Sequence, residues 1–252
     1  ITRPRRFGKT LNLSMLECFF SCQYAGREDL FTGLKIWENP MYHKLQGTYP
    51  VIFLSLAGVI EETYEGAFRS LCFELKYMVD NIRAELDMDR FSEEERTQLS
   101  RISWDMDETI AAKSLKLLTQ LLYKYYGKKP IILLDEYDTP MQEAYFHGYW
   151  EQMAAFMRGF LNNTFKTNPL LEKALMTGIT RIGRESMFSD MNHIDVATIT
   201  THKYETAFGF TQKEVFAALD HMGLGKYKKQ VKQWYDGFMI GRCKDIYNPW
   251  SI

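Results

Sequence analysis

A glycine, a lysine and a threonine stand together at positions 8–10, in the run ITRPRRFGKTL. Gly8 permits close backbone approach, Lys9 can reach the β- and γ-phosphates of a nucleotide, and the Thr10 hydroxyl can ligate Mg²⁺. Arg6, Phe7 and Leu11 flank them and complete the stretch expected to line a nucleotide. The usual pattern, G-x-x-x-x-G-K-[ST], asks for glycine where this chain has Arg3. A second stretch, IILLDEYD, places Asp135 and Glu136 directly after four apolar residues. Carboxylates at the C-terminal end of a buried parallel strand lie on the ligand-binding edge of a sheet. There Asp135 would hold Mg²⁺ and Glu136 would polarise an attacking water. The third stretch, MTGITRIGRES, carries Arg181, which could neutralise charge on a transferring phosphate, with Arg184 as the second choice.

Each stretch also has a plain reading. Gly8-Lys9-Thr10 can be a basic turn ahead of a helix, and either arginine can sit in a solvated loop. Asp138 reads as a turn residue before Thr139-Pro140. Arg3, Arg5 and Arg6 would make a phosphate pocket electropositive, or would face solvent or a partner. His193 and His202 lack metal-ligand spacing. Trp234, Tyr235, Phe238 and Trp250 read as core of the C-terminal region rather than a base-stacking platform.

The elements that must carry these residues follow from periodicity. Leu11, Met15, Cys18, Phe19 and Cys22 fall near helical spacing, so a helix starts at the loop. YPVIFLSLAG (49–58), KPIILLDEYD, EKALMTGIT (172–180) and DVATIT (195–200) read as strands, the first two built on near-continuous apolar runs. Residues 62–90, 107–126 and the segments between Pro140 and about 166 read as helical. Ser92-x-x-Glu95 and Thr211-x-x-Glu214 are capping boxes. Strands separated by helices predict a parallel α/β sheet, and near-continuous apolar strands predict one covered on both faces.

Bulk properties narrow the class. The chain has 252 residues and a net charge of −1, so nothing global draws it to nucleic acid or anionic membrane. Its apolar runs are far shorter than the ~20 residues of a membrane span. Four cysteines without a CxxC pair argue against a disulfide framework or zinc ribbon. Reduced, mostly buried thiols in a cytoplasmic protein are expected.

RPRRFGKT, ILLDEYDTP, MTGITRIGRESMFSDMNHI and WYDGF with YNPWSI, in that order, resemble the AAA-ATPase-like proteins of bacteria and archaea. These are P-loop ATPases, often followed by a PD-(D/E)XK nuclease-like domain. The resemblance covers nearly the whole chain. It implies that the arginine-led loop is a family form, with Lys9 and Thr10 on phosphate and Mg²⁺ and Asp135 and Glu136 as Walker B. TGITR is similar to the sensor segment of STAND-type ATPases, which supports Arg181. The implied fold is a three-layer P-loop NTPase sandwich with a mainly parallel sheet of order 5-1-4-3-2, occupying 1–205. A smaller helical or mixed C-terminal unit, rich in aromatics, would occupy 206–252. Of the first strand, which precedes the loop, only Ile1 and Thr2 would be present. Strands four and five would then lose the neighbour between them, and the piece is expected to fold poorly alone.

The expected activity is Mg²⁺-dependent ATP hydrolysis coupled to a conformational switch. A nucleotide-dependent scaffold with little turnover needs the same loop and is the second reading. The third is a nucleic-acid module serving a nuclease-like domain, resting on RPRR and KYKKQVKQW, against which the net charge counts.

Overall fold

The computed structural model describes residues 1–166, 168–180, 194–235 and 237–252. The chain divides into two compact units. The first joins 1–12, 177–181 and 195–252, and the second joins 13–176 and 182–194.

The second unit is built on three parallel strands in the order β1 (Val51–Ser55), β2 (Ile131–Asp135), β3 (Lys173–Met176). Ser55 is opposite Asp135 and Leu134 opposite Met176. Alternating residues of β2 enter different cores, as the two-residue period of a strand requires. Ile132 and Leu134 join a large cluster with Leu71, Leu75, Leu115, Leu118, Met153 and Phe160. Those residues come from α3 (Tyr64–Arg83), α5 (Glu108–Tyr126) and α7 (Trp150–Leu161). Ile131 and Leu133 instead pack with Val51 and Leu13, the latter from α1 (Lys9–Phe20). Helices therefore cover both faces at β1 and β2, as the apolar runs predict. Coverage fails at β3, where Lys173 and Ala174 are exposed and Leu175 and Met176 half-buried.

The shorter helices are α2 (Pro40–His43), α4 (Glu93–Ser100) and α6 (Thr139–His147). The expected capping box of α4 forms: Glu95 N–H donates to Ser92 Oγ at 3.2 Å, and Ser92 N–H donates to Glu95 Oε2 at 2.8 Å. Asp107 caps α5, which ends at Gly127 with φ +66°. That left-handed stop is one glycine adopts without penalty.

In the first unit, Thr2 forms a parallel bridge with Gly178, and its N–H donates to Ala197 O at 2.9 Å. The slot expected between the fourth and fifth strands is thus filled at that level by Thr2. The strand expected over 195–200 is absent. Its threonines bond locally instead: Thr198 N–H donates to Thr201 Oγ1, and Thr201 Oγ1 and N–H both bond back to Thr198 O. Threonine hydroxyls compete with a sheet ladder in this way and close a turn.

The rest of the first unit is an antiparallel sheet, β4 (Phe210–Thr211), β6 (Cys243–Tyr247), β5 (Phe238–Ile240), in that spatial order. It carries α8 (Gln212–His221), with its expected Thr211–Glu214 capping box, and α9 (Lys228–Tyr235). The aromatic residues expected as core here are not. Trp234 is 82% exposed, and Tyr235, Phe238 and Trp250 are exposed too. The buried cluster is Phe7, Ile240 and Ile246. All four cysteines are free thiols; Cys72 is buried and the other three half-buried.

Candidate functional site

The loop between Thr2 and α1 makes two left-handed turns, at Arg6 (φ +67°) and Gly8 (φ +73°). A Cβ at Gly8 would meet only Asn12 Nδ2, at 3.7 Å, so the space in front of it is open. Gly8 O starts α1 by accepting from Asn12 N–H at 2.9 Å, and Asn12 Nδ2 donates to the same oxygen at 2.9 Å. The amides of Lys9, Thr10 and Leu11 therefore precede the helical ladder, at the positive end of the helix dipole. Thr10 and Leu11 are exposed.

Lys9 is 5% exposed, and its ammonium is folded back across the loop. It donates to Arg3 O at 3.3 Å and Pro4 O at 3.2 Å. These two contacts, both of ordinary hydrogen-bond length, hold the ammonium against the backbone of its own loop. Residues 1–12 contain Arg3, Arg5, Arg6 and Lys9 and no acidic residue.

The loop arginines differ from one another. Arg3 does not face a phosphate pocket, solvent or a partner; it is fully buried. Its guanidinium donates to Thr2 O and Tyr204 O, both at 2.8 Å, and lies over the Phe208 ring at 5.5 Å. Among the described residues, Nε has no hydrogen-bond partner. Burial holds the Arg3 pKa below its ordinary value. At the position where the usual pattern has glycine, the chain therefore places a strut between the loop and residues 204–208. Arg6, by contrast, is exposed and lies under the Trp250 ring at 5.2 Å. Phe7, expected to line the nucleotide, has its side chain buried edge-on against Phe238, with centroids 5.1 Å apart. Only its backbone is left for a ligand.

The acidic pair belongs to the second unit. Asp135 is buried at the C-terminal end of β2, and its carbonyl accepts from Leu56 N–H at 3.0 Å. Glu136 follows at φ +49°, a left-handed conformation unusual for a side chain with a Cβ. Such a turn ends the strand and redirects the carboxylate. Thr139 Oγ1 donates to Glu136 Oε2 at 3.1 Å and Thr139 N–H to Glu136 O at 3.1 Å, which fixes that orientation. Asp138 is the expected turn residue and precedes α6. It is also fully buried and accepts from Gln142 Nε2 at 2.7 Å. Arg181, Arg184 and His193 lie outside the described residues. His202 Nδ1, on an exposed side chain, is 3.7 Å from Oε2 of the half-buried Glu205.

Sequence reading missed Tyr204, Phe208, Asn248 and the contact role of Trp250. Each meets the loop across about 200 or more residues of chain, a separation that no local pattern encodes.

A family model described as "AAA-ATPase_like: Predicted AAA-ATPase" matches residues 1–188. An "Uncharacterized protein in vnfD 5'region" of Azotobacter chroococcum mcd 1 is 24% identical over 260 aligned positions. The match takes in 100% of this chain and 43% of that relative, so the chain spans less than half the relative's length. No solved structure matches. Among the described residues, no helix is long and apolar enough to cross a membrane.

Proposed function

The chain belongs to the AAA-ATPase-like family, and from that premise we propose that it binds ATP with Mg²⁺ and hydrolyses the terminal phosphate to drive a conformational switch. The observation that carries the reading is Lys9. Its buried ammonium is held on two loop carbonyls directly beside an open, left-handed Gly8 at the start of α1.

In this proposal the amides of Gly8, Lys9 and Thr10 cradle the phosphates, and Lys9 exchanges its carbonyl partners for β- and γ-phosphate oxygens. Such donors stabilise charge that builds on the phosphoryl oxygens in the transition state. The Thr10 hydroxyl and Asp135 are the groups that would hold Mg²⁺, which when bound would neutralise charge on the β- and γ-phosphates. Both are oxygen donors, as Mg²⁺ requires. Glu136 accepts the proton of the attacking water; the water oxygen bonds to the γ-phosphorus as the bond from the β,γ-bridging oxygen breaks. Arg181 is assigned to charge neutralisation from its place after TGIT. The sheet is read as the P-loop type, and the ATPase domain as 1–205.

Glu136→Gln is the test. Turnover should fall by at least ~10² while ATP still binds, since positioned general bases contribute about 10²–10⁴-fold. Equal turnover in the variant removes Glu136 from the mechanism. Tight ATP binding with negligible wild-type turnover would instead favour the switch without hydrolysis.

A nucleic-acid partner would use the exposed Arg5 and Arg6 of the loop and the open cleft between α8 and α9, of about 650 Å³, lined by Phe216, Lys228, Lys229 and Lys232. Lys228 is paired with Asp220 and Lys232 with Asp245, which lowers the charge on offer. Both this partner and a nuclease-like domain belong to the proposals for the longer protein.

A further inference from the structure

Phosphate binding leaves the nucleobase unaccounted for, and the segment Asn248–Trp250 reaches the loop twice. Asn248 Nδ2 donates to Arg5 O at 3.4 Å. Its Oδ1 accepts from Trp250 N–H at 3.0 Å, which pins the backbone of Trp250 in an Asx turn. The Trp250 ring then lies 5.2 Å from the Arg6 guanidinium carbon. Trp250 is 73% exposed, although it is tied to the loop on one side. Phe7, one residue beyond Arg6, shows what packing looks like in the same unit, at 1% exposure.

We propose that Trp250 is the stacking platform for the base of the nucleotide whose phosphates the loop holds; this rests on the phosphate reading above. Arg6 supports the ring by a cation–π contact and leaves much of the indole open to a base. Indole stacks on the π-face of any base without reading its edge, and more strongly with the larger purines. The substrate class is therefore purine nucleoside triphosphates, with little discrimination between adenine and guanine. Asn248 is a positioning residue that fixes the turn presenting the ring.

The experiment is calorimetric titration of the full-length protein with ATP, GTP and inorganic triphosphate, in wild type, Trp250→Ala and Trp250→Phe. Trp250→Ala should weaken ATP and GTP alike by about five- to 150-fold, the range of base–aromatic stacking. It should leave inorganic triphosphate within about twofold, and Trp250→Phe should recover most of the loss. Circular dichroism confirms that each variant is folded. Equal losses for ATP and triphosphate would overturn the inference, since Trp250 would then only brace the loop. No loss for either ligand overturns it as well. Triphosphate binding reads the loop by itself: if the wild type binds it and ATP no tighter, stacking fails and the phosphate reading stands. If the wild type binds neither, both fall.

Discussion

At the residue scale, the informative position is Arg3. From sequence it is a mismatch to a glycine-led loop. In the structure its guanidinium holds Tyr204 O and Thr2 O in a site with no exposure. Gly8, Lys9, Asp135 and Glu136, the residues proposed to handle the nucleotide, are picked out in the sequence by their immediate neighbours alone. Arg3 is not, because its partners are about 200 residues away and its burial depends on them. Restoring the usual glycine therefore becomes a decisive change. Arg3→Gly removes two hydrogen bonds from a charged donor and a large buried side chain, and each class of loss costs ~1.5–5 kcal/mol. Urea denaturation should show Arg3→Gly destabilised by ~3 kcal/mol or more. A variant as stable as wild type would mean that Arg3 is tolerated rather than used.

At the element scale, caps and apolar runs are where sequence and structure agree. Ser92 and Thr211 start α4 and α8 as their spacing predicts, and β1, β2 and β3 lie within the runs that predict them. The disagreement at 195–200 has a local cause. DVATIT has strand-forming residues, yet Thr198 and Thr201 satisfy each other's backbone and no ladder forms. The open face of β3 has a different cause: EKALM is charged at its start and apolar only at its end. The α4 cap supports a measurable claim. Ser92→Ala removes one half of a reciprocal pair and should cost ~1 kcal/mol of stability, the usual value for an N-cap. The loss should appear in the chemical-denaturation midpoint without a change in slope, and a neutral result would mean that α4 is fixed by Leu99 and its packing alone.

At the scale of the whole molecule, a net charge of −1 conceals a division. The first unit contains 13 Lys and Arg against six Asp and Glu, giving +7, and the second contains 18 against 26, giving −8. No window of sequence shows this, because the first unit is assembled from three separated segments. The division places the loop proposed to bind phosphate in the basic unit, where long-range potential and the local donors would act in the same direction. Ligand binding should then register as stability. With ATP and Mg²⁺ at about 100 times Kd, linkage contributes ~2.7 kcal/mol. For a chain of this size that is a rise in Tm of roughly 5–11 °C. Lys9→Ala should abolish the rise, because it removes the buried ammonium proposed to meet the phosphates. EDTA should reduce it by withdrawing the ion assigned to Thr10 and Asp135. Raising the ionic strength to about 1 M, where the screening length falls to ~3 Å, should shrink it further. A thermal shift that Lys9→Ala leaves intact would place the nucleotide elsewhere, and the loop of residues 3–10 would then have to be read as structural.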